Sequence, residues 1–197
     1  GRYILLDHPR VGGMGRVYQA WDSITGRLVA VKFLREDRLS SSAQGDRLVR
    51  RFMREVLIGA RLEHPNVAQV FDRGEKDGVP FFVMQYVRGG TLAEVQSDRP
   101  RSAANFVRII RDAAAAVAHA HARGVIHRDL KPSNIMLGEE DHVYVTDWGL
   151  AQSLLGDRPP VTQEGTFLGT YDFAAPEQVG LCEGEAPAAG PVADPEL

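Results

Sequence analysis

A chain of 197 residues with a formal net charge of −3 can bury a core in one domain or two small lobes, and its bulk charge gives no sign of nucleic-acid binding. Hydrophobic residues at 44% and charged residues at 25% are ordinary globular values, and no run approaches the roughly 18 apolar residues of a membrane span. The single cysteine, Cys182, excludes an internal disulfide and fits a reducing compartment, so a cytoplasmic location is expected.

In chain order, the first third reads as strands. RYILLD, RVYQAWD and RLVAVKFL are short β-branched or aromatic runs separated by GGMG and SITG turns. No signal-peptide pattern precedes them, and the abrupt start is that of a piece of a longer protein. A polar loop, residues 35–46, leads to a helical period: Val49, Phe52, Met53, Val56 and Ala60, with Asp46 as N-cap. Two further strands are predicted, NVAQVFD and VPFFVMQYV. After RGGTL a long helix is predicted over 102–123, capped by Ser102 and ended by Gly124, with Phe106, Ile110, Ala113, Val117 and Ala120 on its apolar face. Loop, strand, turn and strand follow in VIHRDLKPSN, IMLGE and HVYVTDWG. The tail CEGEAPAAGPVADPEL, rich in Ala, Pro, Gly and acids, is expected to be disordered or loosely packed.

Several stretches carry chemistry. Glycines in VGGMGRVY let a backbone approach a polyphosphate, although a hairpin without a ligand explains them better on their own. In VAVK, Val29 and Val31 share one strand face while Ala30 and Lys32 share the other, so small Ala30 leaves room for a flat ligand beside Lys32. Glu55 lies on a stripe with Leu48 and Phe52 and needs a partner if that stripe faces inward, with Lys32 as a candidate. A solvated edge position explains Glu55 equally well.

HRDLKPSN is sharper, because His, Arg, Asp, Lys and Asn crowd one loop. Asp129 can accept a hydroxyl proton, Lys131 can neutralise a phosphoryl group, and Asn134 can hold a metal by its amide oxygen. Asp147 ends the next strand and can give a carboxylate to Mg²⁺, with Trp148 as apolar bulk and Gly149 as the turn. In GTYDFAAPEQ, Glu177 can anchor a loop on an Arg, or simply begin a helix after Pro176.

Taken together, GGMGRVY, VAVK, RFMREV, LEHPNV, FFVMQYVRGGTL, HRDLKPSN, DWG and GTYDFAAPE resemble the eukaryotic-like Ser/Thr protein kinases of bacteria, in family order over about residues 3 to 178. The resemblance implies an α+β, bilobal kinase-like fold: a β-rich lobe with one long helix over 1–88, part of a helical lobe over 89–180, and a tail over 181–197. It implies ATP and Mg²⁺ and a protein substrate bearing Ser or Thr.

Residue by residue, Gly12, Gly13 and Gly15 would cover the phosphates, and Val17, Ala30 and Met136 would enclose the adenine. Met84 would guard the pocket behind it, and the backbone of Gln85 and Val87 would bond the adenine edge. Lys32 would hold the α- and β-phosphates and pair with Glu55. Asp129 would act as base and Lys131 would steady the γ-phosphate, while Asn134 and Asp147 would bind Mg²⁺. Thr162 and Thr166 are candidate phosphosites, with Arg128 as their charge partner.

This sequence departs from the family at Trp148 (usually Phe), Arg10 (usually the first glycine) and Gly59 (usually larger, so looser packing on Trp148 is expected). The family's later helices do not follow APE, so Phe106, Ile110 and Val117 are expected to stand uncovered and to favour self-association. Two other readings compete: an inactive nucleotide-binding pseudokinase or scaffold, and a small-molecule kinase of the aminoglycoside or choline type.

Overall fold

The computed structural model describes residues 1–11, 15–35, 49–50, 52–53, 56–98, 101–148, 152–153 and 170–176. The first lobe is an antiparallel sheet of β1 (Tyr3–Leu5), β2 (Arg10–Val11), β3 (Gly15–Asp22), β4 (Arg27–Leu34), β5 (Val70–Lys76) and β6 (Val79–Gln85). Its order is β1-β3-β4-β6-β5, with β2 also on β3. The β5–β6 hairpin turns on Asp77 (φ 53°) and Gly78 (φ 79°), the Asp-Gly pair whose left-handed backbone matches the twist of the flanking strands. Predicted NVAQVFD holds only the start of β5, which begins at Val70 and runs to Lys76. Residues 66–68 are instead drawn against a different strand.

Strand alternation divides the sheet into two faces. Ala20, Val29, Val31 and Val83 pack on one with Tyr3, Phe33 and Phe81. Leu34 and Phe82 on the other meet Phe52 and Val56 of α1, whose described helical residues are 49–50, 52–53 and 56–59. Ala30 and Lys32 share this second face, as the alternation in VAVK requires. Gly59 does not leave slack. A Cβ there would lie 2.6 Å from Val70 Cγ2, so Val70 already occupies that space.

The second lobe holds α2 (Leu92–Asp98), α3 (Ala103–His121) and the short strands β7 (Gly90–Thr91), β8 (Val125–Ile126), β9 (Ile135–Leu137), β10 (Val143–Val145) and β11 (Gln152–Ser153). Helix α2 is absent from the sequence reading, yet it carries a capping box. Thr91 N–H donates to Glu94 Oε2 at 2.8 Å, and Glu94 N–H donates to Thr91 Oγ1 at 3.2 Å.

Helix α3 begins as predicted, with the Ser102 hydroxyl accepting from Asn105 N–H at 3.2 Å, and Gly124 lies beyond its end at φ 70°. Its buried face differs from the predicted one: Ile109, Ala113, Ala116 and Ala120 are inward, Phe106 and Val117 are half-buried, and Ile110 is 49% exposed. Small side chains won this seam because the strands approach the helix closely, and three alanines admit them where larger residues would not. Val107, 69% exposed, joins Ile110 on the outer side. Ile109 is fully buried among Leu62, Val67, Ile135, Val143 and Trp148. Ile109→Ala is expected to lower unfolding stability by about 2–5 kcal/mol, measured by denaturant titration.

The two lobes are tied through residues 66–68. Val67 bridges Val145 in parallel, Val145 N–H donates to Asn66 O at 2.8 Å, and Ala68 N–H donates to Val145 O at 3.1 Å. The buried Asn66 amide donates to Val143 O at 2.9 Å. None of the described helices is long and apolar enough to cross a membrane.

Candidate active site

The register of the sheet assembles one wall of the cleft. Val17 lies opposite Lys32, Ala30 opposite Met84, and Val29 opposite Gln85. Gly15 approaches β4 so closely that a Cβ would sit 2.5 Å from the Phe33 carbonyl oxygen. Gln85 N–H is already used, donating to Gln69 O at 2.8 Å. The other wall comes from β9, where Met136 stands opposite Thr91 and Tyr144. Gly89, at φ 151°, lets β7 lie on β9; a Cβ there would fall 1.9 Å from Leu137 O. Val87 is buried, with its Cγ1 3.4 Å from where a Cβ on Gly138 would lie.

Lys32 is 8% exposed, and its Nζ lies 2.9 Å from Asp147 Oδ1. Asp147 itself has φ 65°, a left-handed backbone that a non-glycine residue adopts at some cost and that turns its carboxylate out of the strand direction. The expected Lys32–Glu55 pair cannot be compared, since Glu55 lies outside the described residues. So do Gly12, Gly13, Gly149, Glu177, Thr162 and Thr166.

HRDLKPSN folds into a closed network. Buried His127 accepts from Asp129 N–H through Nδ1 at 3.3 Å and donates through Nε2 to Thr146 O at 3.0 Å. Burial pushes its pKa down, so the neutral ring that these two bonds demand is the stable one. Pro132 opens a 3₁₀ turn over Pro132–Asn134. Asn134 is thereby placed so that its amide N–H₂ donates to Asp129 O at 2.8 Å and to Asp129 Oδ2 at 3.2 Å. Thr146 N–H donates to Asn134 O at 2.9 Å, which sets Asn134 beside the residue preceding Asp147.

The sequence reading did not single out Thr170. Its hydroxyl accepts from Lys131 Nζ at 2.6 Å and donates to Asp129 Oδ1 at 3.0 Å, while Lys131 Nζ also lies 2.9 Å from Asp129 Oδ2. Both carboxylate oxygens of Asp129 are therefore oriented by neighbours. The only sequence trace of this was the Gly-Thr step in GTYDFAAPE.

Trp148 is 2% exposed, with its ring centroid 4.5 Å from that of His127. Its indole N–H is buried without an acceptor among the described residues. The amide oxygen of Asn134, just before β9, and the carboxylate of Asp147, just after β10, are the hard oxygen donors that Mg²⁺ takes together with substrate phosphates. The described residues hold no group of three His, Cys, Asp or Glu that could hold a metal unaided.

The protein kinase domain model matches residues 11–192. The chain is 37% identical over 179 residues to the serine/threonine-protein kinase PrkC of Bacillus subtilis, covering 90% of this chain and 27% of that protein. It is 39% identical over 182 residues to PknB of Mycobacterium leprae, covering 90% and 28%. It is 40% identical over 175 residues to pkn3 of Myxococcus xanthus, covering 85% and 31%. With such a cleft, such a loop and such coverage, the chain belongs to the protein kinase family, and the relatives it resembles are bacterial enzymes of the serine/threonine type. It spans between a quarter and a third of the length of these curated relatives.

Proposed function

We propose that this chain is the nucleotide-binding and catalytic part of a serine/threonine protein kinase, which transfers the γ-phosphoryl group of ATP to a Ser or Thr hydroxyl of a protein. The observation that carries this is the orientation of Asp129, shared among Lys131, Thr170 and Asn134. Asp129 would align the incoming hydroxyl and accept its proton as the hydroxyl oxygen bonds to the γ-phosphorus. The bond from that phosphorus to the β–γ bridging oxygen breaks, and ADP leaves. Lys131 would offset charge on the transferring group. Lys32 would hold the α- and β-phosphates, which requires it to share or exchange its contact with Asp147. Asn134 and Asp147 would hold Mg²⁺, which offsets phosphate charge when bound. Val17, Ala30 and Met136 would enclose the adenine, with Met84 behind it and the backbone of Gln85 and Val87 at its edge. The lone Cys182 supports a reducing, cytoplasmic setting.

The test is a phosphotransfer assay with Mg²⁺ and ATP on a basic protein acceptor, run beside amino alcohol acceptors. Phosphoserine or phosphothreonine on the protein alone supports the proposal. Transfer to the amino alcohols, or nucleotide binding with no transfer at all, would overturn it. Thr170→Val removes the hydroxyl shared by Lys131 and Asp129, and it is expected to lower kcat by about tenfold to a hundredfold with little change in ATP affinity, measured by steady-state kinetics and calorimetry.

Arg10 gives the departure in the glycine loop a structural consequence. Its guanidinium lies 3.8 Å from Glu94 Oε2, so β2 of the first lobe meets the start of α2 in the second. Both side chains are largely exposed, so the contact is weak and screened by salt. Arg10→Gly is expected to speed nucleotide release by about twofold to fivefold at low salt and hardly at all near 1 M salt, read by stopped-flow displacement of a fluorescent nucleotide.

A further inference from the structure

Where the turn at residues 64–66 meets the C-terminal part of α3, two imidazoles stack. The rings of His64 and His119 have centroids 4.9 Å apart and an interplanar angle of 48°. Hydrogen-bond chemistry fixes the state of each ring. Arg123 NH1 lies 3.2 Å from His119 Nδ1, and a guanidinium can only donate, so Nδ1 must accept and the proton must sit on Nε2. That Nε2–H is buried and has no acceptor among the described residues. His64 Nδ1 likewise accepts, from Asn66 N–H at 3.1 Å. Each ring thus uses as an acceptor the nitrogen that a second proton would occupy.

We propose that the His64–His119 pair is an acid-sensitive joint, which clamps the inter-lobe turn to α3 while both rings are neutral and weakens when either takes a proton. Protonating His119 would break its bond from Arg123 and set two cations 3.2 Å apart. Protonating His64 would break its bond from Asn66 N–H and put a charge beside His119. Among the described residues, the charged or titratable groups acting on His119 are Arg123, two residues past the end of α3, and His64 from the turn, with no carboxylate among them. His142, the residue before β10, reaches the same turn, on the Pro65 carbonyl at 3.0 Å.

The helix C-terminus favours positive charge and so opposes the burial and the nearby cations. Burial first, then Arg123 and His64, hold the His119 pKa below its ordinary 6.5. The unfolded chain therefore binds the proton more readily than the folded one as pH falls through 6.5. Stability from this joint is complete above that pH and is lost as pH falls toward the folded value, by up to about tenfold in the folding equilibrium per unit of separation. The release has a structural route. Asn66, which caps onto His64, also holds β10 through Val143 and Val145, two residues before Asp147.

The proposal is tested by imidazole ¹⁵N NMR of the chain from pH 8 to 5, beside melting curves of the wild type and of His119→Gln and His64→Asn. At pH 8 both rings should carry the proton on Nε2. His119 should titrate below 6.5, and His64→Asn, whose amide oxygen can still accept from Asn66, should move that midpoint upward. His119→Gln should lose less stability than the wild type between pH 7.5 and 5.5. An Nδ1–H tautomer at either ring, or a His119 midpoint at or above 6.5, would overturn the joint. The NMR titration of the wild type decides this even if a variant fails to fold.

Discussion

Asp129→Asn is expected to abolish most phosphotransfer while leaving ATP affinity nearly unchanged. The substitution keeps the shape of the side chain, so the bonds from Lys131 and the Thr170 hydroxyl keep one acceptor oxygen between them. The N–H₂ group fits only at the Oδ1 position, where the Thr170 hydroxyl can accept from it, because at the Oδ2 position it would face both the donating amide of Asn134 and the ammonium of Lys131. An amide cannot accept the proton of an incoming hydroxyl. A positioned general base contributes about 10²–10⁴-fold, and a loss of that order in kcat is the expected outcome. Because Asp129 is proposed to touch the hydroxyl and not the nucleotide, calorimetry should return an ATP dissociation constant within about twofold of the wild type. A comparable loss of nucleotide binding would remove Asp129 from this role.

Asp147→Asn should fail at the opposite step. Its carboxylate faces Lys32 at 2.9 Å and is the negative group proposed to hold Mg²⁺ beside Asn134. Replacing it by an amide removes a full charge from the metal's surroundings and one ionic partner from a lysine that is 8% exposed. Removing supporting residues around metals costs about 10–100-fold, and a direct ligand should cost at least that much in Mg²⁺–ATP affinity. Excess Mg²⁺ should restore part of the lost transfer in Asp147→Asn and none in Asp129→Asn. Titration of nucleotide binding against Mg²⁺ checks the first half, and the same titration followed by phosphate transfer checks the second. Equal rescue in both variants would sink the division of roles.

Much of the site was legible because its signals are local. HRDLKPSN binds itself together within eight residues, through His127 to Asp129 and Asn134 to Asp129, so its density of polar types already marked a closed loop. The alternation in VAVK placed Ala30 and Lys32 on one face because a strand has a period of two. Ser102 and Gly124 bounded α3 because caps act over three or four residues. Thr91 and Glu94 carried an equally local signal for α2, and it went unread behind the glycines that precede it.

The order of motifs in the amino-acid sequence determined the family, the loop that holds Asp129, and the strand faces that wall the cleft. Tertiary structure alone decided which distant groups meet. Asp147 comes to Lys32 from 115 residues away, and Thr170 to Asp129 from 41. It also chose Ile109 and three alanines over Ile110 for the buried seam of α3, because close approach of the strands favoured small side chains over apolar bulk. The same packing set His64 against His119, two residues that nothing in the chain's periodicity connects. Local propensity acts over a few residues, whereas contacts of this kind exist only once the two lobes have folded onto each other and excluded water between them.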